Sequence, residues 1–225
     1  MIKVTYIYHS CFLVETSVCY YLFDYYRGSL PSMEKEKPVY VLSSHGHGDH
    51  YQPKVFSLLK DMGITSICAV LSDDISMDSV PAGISCVAVG PCREYDLAPG
   101  QHLTTFRSTD QGTAFLIQTR EGTIYHAGDL NDWVWEGESE SCNKEMTRNY
   151  RAEIDKMAGT PADIAFVVLD PRQEKDYARG MLYFLEKVPA KKVWPMHYWE
   201  KPEIIERFLE EYPQYEGRVM RTDFA

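Results

Sequence analysis

Residues 43–50 of this chain read Ser43-Ser44-His45-Gly46-His47-Gly48-Asp49-His50, which places three histidines and an aspartate within six positions. His45 and His47 are two residues apart, so in an extended loop their side chains point to the same side. Gly48 lets the chain turn and bring Asp49 and His50 beside the first pair. A polar loop holding these residues by accident is a poor explanation, because so many imidazoles and carboxylates are costly to crowd together unless they coordinate something. The stretch therefore predicts a site for zinc, manganese or iron, since no thiolate lies nearby to favour a softer metal.

The motif begins where a buried strand ends. The run Val39–Ser43 is short and apolar, which is typical of a strand buried on both faces. Loops at the carboxyl ends of such strands are where α/β proteins place their ligands. We therefore expect the histidines on a loop at one edge of a sheet.

The chain as a whole, residues 1–225, predicts a single α/β domain without a linker or repeat. Predicted strands are Lys3–His9, Cys11–Glu15, Cys19–Asp24, Val39–Ser43, Thr65–Leu71, Cys86–Val89, His102–Phe106, Thr113–Thr119, Thr123–Ala127, Ala162–Leu169 and Lys192–Met196. Predicted helices are Pro53–Met62, a charged and exposed one within residues 136–158, Tyr177–Lys187 and Pro202–Glu211. Apart from Cys86–Val89, residues 73–99 predict turns and irregular structure.

Composition and charge exclude several classes of protein. The 225 residues carry 23 Lys and Arg against 33 Asp and Glu, a net charge of −10 with neutral histidines, so no broad nucleic-acid-binding face is expected. No apolar run is long enough to cross a bilayer, and the beginning of the chain lacks the pattern of an export signal. The six scattered cysteines predict reduced thiols. We expect a cytoplasmic protein that acts on a small molecule, without a nucleic-acid or membrane partner; the sequence does not define the oligomeric state.

Read as His-x-His-x-Asp-His, the motif resembles the signature of the metallo-β-lactamase superfamily. Two later segments match the family in the right order: Thr123–Asp129, where a strand runs into an aspartate, and Val193–Tyr198, which contains a histidine. The resemblance implies a four-layer αββα sandwich with two metal ions at one edge of its two sheets, and an aspartate that bridges them. The implied ligands are His45, His47 and Asp129 for the first ion, and Asp49, His50, His197 and the shared Asp129 for the second.

The family usually supplies a third histidine to the first ion, and this chain departs from that pattern. The matching region, Thr104–Gly112, contains no histidine, and His102 lies too early in the chain. Asp110 is the candidate replacement ligand. It could instead hydrogen-bond a ligand or the loop backbone, or have no role in the site. Without a replacement the first ion would have only three protein ligands and would bind weakly.

The resemblance also implies a chemistry. Two divalent metal ions, zinc being expected first and manganese or iron being compatible, would bind a water molecule that Asp49 orients and deprotonates to hydroxide. The chain would then be a metal-dependent hydrolase that cleaves a small ester, lactone, amide or phosphodiester. Its length and the segment Pro195-Met196-His197-Tyr198 are similar to the lactonase-like group that includes L-ascorbate-6-phosphate lactonase. The alternative is a non-catalytic relative that binds a metal or senses a ligand, with an incomplete first metal site.

Several other residues near these segments are candidates for supporting roles. His9 resembles a histidine near the start of lactonase-like relatives, but a core or supporting role is favoured. His126 could face the site or the interior, and the interior is favoured. Asp24 ends a strand and is expected to support the metal loop through hydrogen bonds. Four aromatic residues fit a pocket wall and core packing equally well: Trp133, Trp135, Tyr198 and Trp199.

Overall fold

Two six-stranded mixed sheets form the centre of the structure, and helices flank them. The computed structural model describes residues 2–222. Strands β1 to β6, which pair in chain order as the first sheet, are Lys3–Tyr8, Cys11–Glu15, Tyr20–Phe23, Val39–Ser43, Ile67–Ser72 and Ser85–Val89. Strands β7 to β12, which pair in chain order as the second sheet, are Glu94–Ala98, Gln101–Arg107, Thr113–Thr119, Thr123–His126, Ala162–Val168 and Ala190–Met196. Helices α1 to α4 are Lys54–Asp61, Glu140–Asp155, Arg179–Lys187 and Glu203–Glu211, and short 3-10 helices lie at Met77–Ser79, Pro171–Asp176 and Pro213–Tyr215.

The sheets pack face to face through a shared aromatic core. Phe12 and Phe23 of the first sheet lie against Phe166 of the second, with ring centroids 4.2 and 5.9 Å apart. Phe23 also approaches Phe115 of β9 at 6.4 Å. All four rings are fully buried, and inward-facing aromatic side chains are what hold two stacked sheets together.

Helices cover the outer faces of both sheets. Phe56 of α1 shares a second buried cluster with Val41 of β4, so α1 covers the first sheet. Tyr125 of β10 stacks on Phe184 of α3 at 5.2 Å, so α3 covers the second. The predicted α/β fold with αββα layering is confirmed. Within the described residues, no helix is both long and apolar enough to cross a membrane.

The direction of the strands decides where the loops meet. In the first sheet β1 pairs antiparallel with β2, and β2 with β3, while β3, β4 and β5 are parallel, so β1, β3, β4 and β5 all run the same way. In the second sheet β10, β11 and β12 are parallel. The carboxyl ends of these strands therefore lie along one edge of each sheet.

The expectation of turns and irregular structure over residues 73–99 is wrong for β7, Glu94–Ala98. This strand pairs antiparallel with β8 at the edge of the second sheet. Glu94 and Asp96 are exposed, whereas Tyr95 and Leu97 are half-buried against the core. Charged residues on an edge strand discourage pairing with other chains, and here they also obscure the apolar alternation on which strand prediction depends.

Candidate metal centre

The loops at this edge bring together eight histidine and aspartate side chains in two groups of four. Ligand-type atoms within each group all lie within 4.8 Å of one another. The first group consists of His45, His47, Asp110 and Asp129, and the second of His9, Asp49, His50 and His197.

The first group contains the residue whose role the sequence left open. Nε2 of His45 lies 3.0 Å from Nδ1 of His47 and 3.6 Å from Oδ2 of Asp129. Oδ2 of Asp110 lies 3.6 Å from the same nitrogen of His47. The loop between β8 and β9 therefore places a carboxylate beside the His-x-His pair, although it contains no histidine.

The second group gains a histidine for which the sequence favours a core or supporting role. Nε2 of His9 lies 3.6 Å from Oδ2 of Asp49. Burial lowers the pKa of His9 to about 4, so the ring is neutral at physiological pH, as a metal ligand must be. His9 was hard to find because it comes from the first hairpin, far in sequence from the motif.

Asp129 lies between the two groups. Its Oδ2 faces His45, while its Oδ1 is 3.2 Å from Nε2 of His50 and 3.4 Å from Nε2 of His197. One carboxylate thus offers a different oxygen to each group, which is the arrangement that a bridging ligand needs.

The donor set and its spacing fit metal ions. Two ligand atoms that sit about 2.1 Å from one tetrahedral ion lie about 3.4 Å apart, and the distances above range from 3.0 to 3.6 Å. Among the described residues, both ring nitrogens of His9, Nε2 of His50 and Oδ1 of Asp129 are buried and make no hydrogen bond. Buried polar atoms without partners are costly. A cation in each group would satisfy them.

Two buried carboxylates orient the histidines. Oδ2 of Asp24 accepts from Nδ1 of His50 at 2.8 Å, and Oδ2 of Asp170 accepts from Nδ1 of His197 at 2.9 Å. Burial alone would raise the pKa of each carboxyl, but the neighbouring histidines, with Arg172 at Asp170, hold both values at about 2. Each ring is thereby fixed with Nε2 directed towards the centre.

Three of these residues have a left-handed backbone immediately after a strand. The φ angles are 57° at His9 after β1, 43° at Asp24 after β3 and 64° at His197 after β12. Residues other than glycine adopt such angles at a cost, and they do so most often at functional sites. The sharp turn at each strand end directs the side chain into the centre instead of along the sheet.

Glycines let the two halves of the site approach each other. At Gly112, with φ of 70°, a Cβ would lie 1.9 Å from the carbonyl oxygen of Ser44. At Gly128, with φ of 52°, a Cβ would lie 2.6 Å from Cβ of Ser44. Both glycines belong to loops of the second sheet, and Ser44 precedes the His-x-His pair, so their missing side chains are what bring the ligand loops together.

A cavity of about 240 Å³ opens beside the metal-ligand groups. Trp133 and Trp135 form part of its wall and stack in parallel, with ring centroids 5.9 Å apart. The edge of Trp133 also contacts the ring of His197 at 5.4 Å. These tryptophans combine the two roles that the sequence left open, because both line the cavity and both pack in or against the main core cluster. Besides the two tryptophans, the residues that line the cavity are Thr109, Asp110, Asp129, Met146, Arg172 and His197.

Other candidates lie outside the two groups. His126 is buried in the core, where it stacks on Phe23 at 4.8 Å and its Nε2 donates to the Ser10 carbonyl. His102 is half-buried and pairs with the exposed Asp96 at the edge of the second sheet. Tyr198 packs in the core, whereas the ring of Trp199 lies 4.4 Å from that of His9.

The sequence reasoning missed Asp170 and Arg172. A signal was present, because Asp170 follows the buried strand β11 just as Asp24 follows β3. Acidic residues directly after buried parallel strands are candidates for a site at that edge. Arg172 gave no comparable signal, since a lone arginine after a strand is common on protein surfaces.

Known proteins resemble this chain in sequence and fold. A family model described as the β-lactamase superfamily domain matches residues 3–141. A UPF0173 metal-dependent hydrolase of Carboxydothermus hydrogenoformans is 28% identical over 210 residues, which covers 87% of this chain and 84% of that protein. The metallo hydrolase Igni18 from Ignicoccus hospitalis has a similar structure, with a TM-score of 0.68 and 19% identity. The match covers 99% of this chain and 94% of the Igni18 chain. Zn²⁺-bound PqqB from Methylobacterium extorquens also has a similar structure, with a TM-score of 0.56 and 13% identity. The match covers 93% of this chain and 82% of PqqB.

Proposed function

This chain belongs to the β-lactamase superfamily and is a metal-dependent hydrolase, and on that premise we propose that it is a two-metal enzyme that cleaves a small ester, lactone, amide or phosphodiester. The observation that carries the proposal is the position of Asp129, which offers one oxygen to each of two groups of ligand-type atoms. Lactones remain candidates because of the similarity of the Pro195–Tyr198 segment to lactonase-like relatives.

The first ion would have four protein ligands and the second five, because Asp129 is shared. In this proposal Asp110 takes the place of the third histidine that is usual in the family. The first ion would be held by His45, His47, Asp110 and Asp129, and the second by His9, Asp49, His50 and His197, with Asp129 shared.

Zinc is the metal that we propose for both positions. Imidazole and carboxylate donors without a thiolate suit it, although manganese and iron accept the same ligands. PqqB, whose fold is similar, holds Zn²⁺. When bound, such ions lower the pKa of water towards about 7 and polarise the bond to be cleaved.

Asp49 is the proposed catalytic residue. Contact with His9 holds the pKa of the Asp49 carboxyl well below its ordinary value, so the group is ionised at neutral pH. Its Oδ2 faces His9, which leaves Oδ1 to orient the attacking water and accept its proton. The tryptophan wall would restrict the access of other water molecules while the substrate occupies the cavity.

Metal content and hydrolysis together test the proposal. We expect two metal ions per native chain by elemental analysis, one in Asp110→Ala, and two in Asp96→Ala, which removes an exposed carboxylate outside the site. Hydrolysis of generic esters, lactones and phosphodiesters should stop with a chelator and in His47→Ala. Turnover that survives both treatments would contradict the metal-dependent mechanism. Two bound ions without any turnover would favour the non-catalytic binder.

A further inference from the structure

Arg172 is a cation in the wall of the cavity beside the metal-ligand groups. It lies in the 3-10 helix Pro171–Asp176, which begins three residues after the end of β11, and its side chain is 47% exposed. The cavity wall that it forms also contains Asp129 and His197, so the guanidinium borders the proposed reaction centre. Nothing in the proposed chemistry uses it.

The guanidinium is fixed along one edge. Its Nε donates to both oxygens of Asp170, at 3.0 and 2.9 Å, and its Nη2 donates to Oδ2. Nη1 has no hydrogen-bond partner among residues 2–222. A guanidinium presents its donors as a rigid planar fork, so holding one edge leaves the other edge directed and available.

Two indole rings hold the flat face of the same group. The guanidinium carbon of Arg172 is 5.0 Å from the ring centroid of Trp199 and 5.9 Å from that of Trp135. Cation–π contacts of this kind restrict a long side chain that would otherwise sample many rotamers. Arg172 is already ordered in the free protein. Binding of a ligand to its open edge therefore costs less conformational entropy.

The open edge of Arg172 points to the kind of ligand. Asp170 balances the charge of the guanidinium, but Nη1 has no acceptor among the described residues. A neutral substrate would leave that edge facing solvent, whereas an anionic group can accept two charge-assisted hydrogen bonds from it.

We propose that Arg172 determines substrate specificity by binding a carboxylate or phosphate group of the substrate through its free edge, while the scissile bond lies at the metal-ligand groups. The inference rests on the proposed function and adds the substrate class: a small hydrolysable molecule with a second, anionic end. The competing explanation is that Arg172 only supports Asp170 and, through it, His197.

Pairs of esters that differ only in remote charge test the assignment. One pair is 4-nitrophenyl hydrogen adipate and its methyl ester; the other is 4-nitrophenyl 6-phosphonohexanoate and its dimethyl phosphonate ester. We expect the metal-loaded native protein to favour the charged member of at least one pair in kcat/KM by about tenfold to a hundredfold. Arg172→Gln should abolish this preference, mainly through KM, and Arg172→Lys should retain part of it.

A matched variant controls for general charge effects. Lys175 lies on the same 3-10 helix and pairs with Glu136 at the surface, outside the lining of this cavity. Lys175→Gln removes one positive charge as Arg172→Gln does, yet it should leave the ratio of charged to neutral substrate unchanged.

Two results would overturn the proposal. One is a charged-to-neutral ratio that is the same in the native protein and in Arg172→Gln. The other is an equal loss for both members of each pair together with a lower metal content, which is what a purely supporting role predicts.

Binding separates this inference from the proposed hydrolase function. If no ester is turned over in a chelator-sensitive way, the hydrolase proposal fails, and the as-purified protein is titrated with succinamate and with neutral succinamide by tryptophan fluorescence. Weaker binding of succinamate alone in Arg172→Gln would support the anion subsite. Equal binding by the native protein and the variant would contradict it.

Discussion

At the scale of single residues, the centre depends on carboxylates that touch no substrate. Asp24 is fully buried and accepts from Nδ1 of His50, from the backbone N–H of Ser44 at 2.7 Å and from its Oγ. One side chain thereby fixes both the tautomer of a candidate metal ligand, His50, and the start of the loop that carries the motif. Such a residue contributes to metal affinity without contacting the ion.

Asp24→Asn should lower metal affinity by about tenfold to a hundredfold. The amide NH2 that replaces one carboxylate oxygen would face another hydrogen-bond donor, the N–H of Ser44 or of His50 Nδ1. The measurement is a competition titration with a chromophoric chelator. Asp96→Asn is the control, since it changes an exposed aspartate that also pairs with a histidine Nδ1, at 3.0 Å. Equal affinities for the two variants would contradict the role assigned to Asp24.

His9 and His126 are both fully buried histidines, and they are expected to respond differently to replacement. Neither nitrogen of His9 has a hydrogen-bond partner within residues 2–222, whereas His126 is bonded to Ser10 and Gly128. Alanine at either position should destabilise the protein by about 2–4 kcal/mol. Only His9→Ala should also lower the number of bound ions, measured by elemental analysis of the folded protein. An unchanged metal content in His9→Ala would contradict its role as a metal ligand and support the core or supporting role that the sequence favours.

At the scale of elements, the site is built from strand ends. β1, β3, β4, β10, β11 and β12 each deliver a ligand or a supporting carboxylate within a few residues of their carboxyl ends. The loop between β8 and β9 is the exception, since it must cross to the first sheet to contribute Asp110. Its backbone is anchored there by a hydrogen bond from Thr113 N–H to the Ser44 carbonyl at 2.9 Å.

Gly112→Ala should disrupt this crossing. A Cβ would lie 1.9 Å from the Ser44 carbonyl, so the free energy of unfolding should fall by about 3 kcal/mol or more. Gly159→Ala is a matched control, because Gly159 has a similar φ of 77° but no atom within 4 Å of the added Cβ. That variant should lose only about 1 kcal/mol, the cost of the backbone angle. Urea unfolding of both variants measures the difference, and equal losses would show that the close approach is unimportant.

At the scale of the whole molecule, the two sheets meet at the candidate metal centre, and we expect metal binding to be coupled to folding. The ligands come from positions between His9 and His197, so no subset of the chain assembles both groups. In the unfolded chain these side chains are far apart, and an ion that binds only the folded protein stabilises it by mass action.

Removing the metal should therefore lower Tm. For a chain of this size we expect a decrease of about 5–10 °C when a chelator is added to metal-loaded protein, reversed by excess Zn²⁺. Thermal denaturation followed by circular dichroism measures it at fixed protein and metal concentrations. In Asp129→Asn the chelator should lower Tm by less, because the substitution weakens metal binding by both groups and leaves less metal-derived stability to remove. A Tm that is identical with and without the chelator, in protein shown to contain metal, would contradict the coupling.

The sequence by itself determined the parts of this protein that are encoded locally. The buried strand Val39–Ser43 and the residues His45 to His50 that follow it could be read from spacing alone, because neighbours in a short loop stay neighbours after folding. Spacing together with the family resemblance also indicated Asp129 and His197. The charged edge strand Glu94–Ala98 was not predicted, because its stability comes from pairing with β8 and not from its own residue pattern.

Only the tertiary structure decided which distant groups join the site. His9 and Arg172 carry no local signal strong enough to assign them, Asp170 is marked only as an acidic residue after a buried strand, and Asp110 had three open roles. Their places follow from strand direction and from the packing of two sheets, which are properties of long-range pairing. Sequence spacing does not fix the distance between residues that lie on different sheets, and that distance decides whether a carboxylate is a ligand or part of the surface.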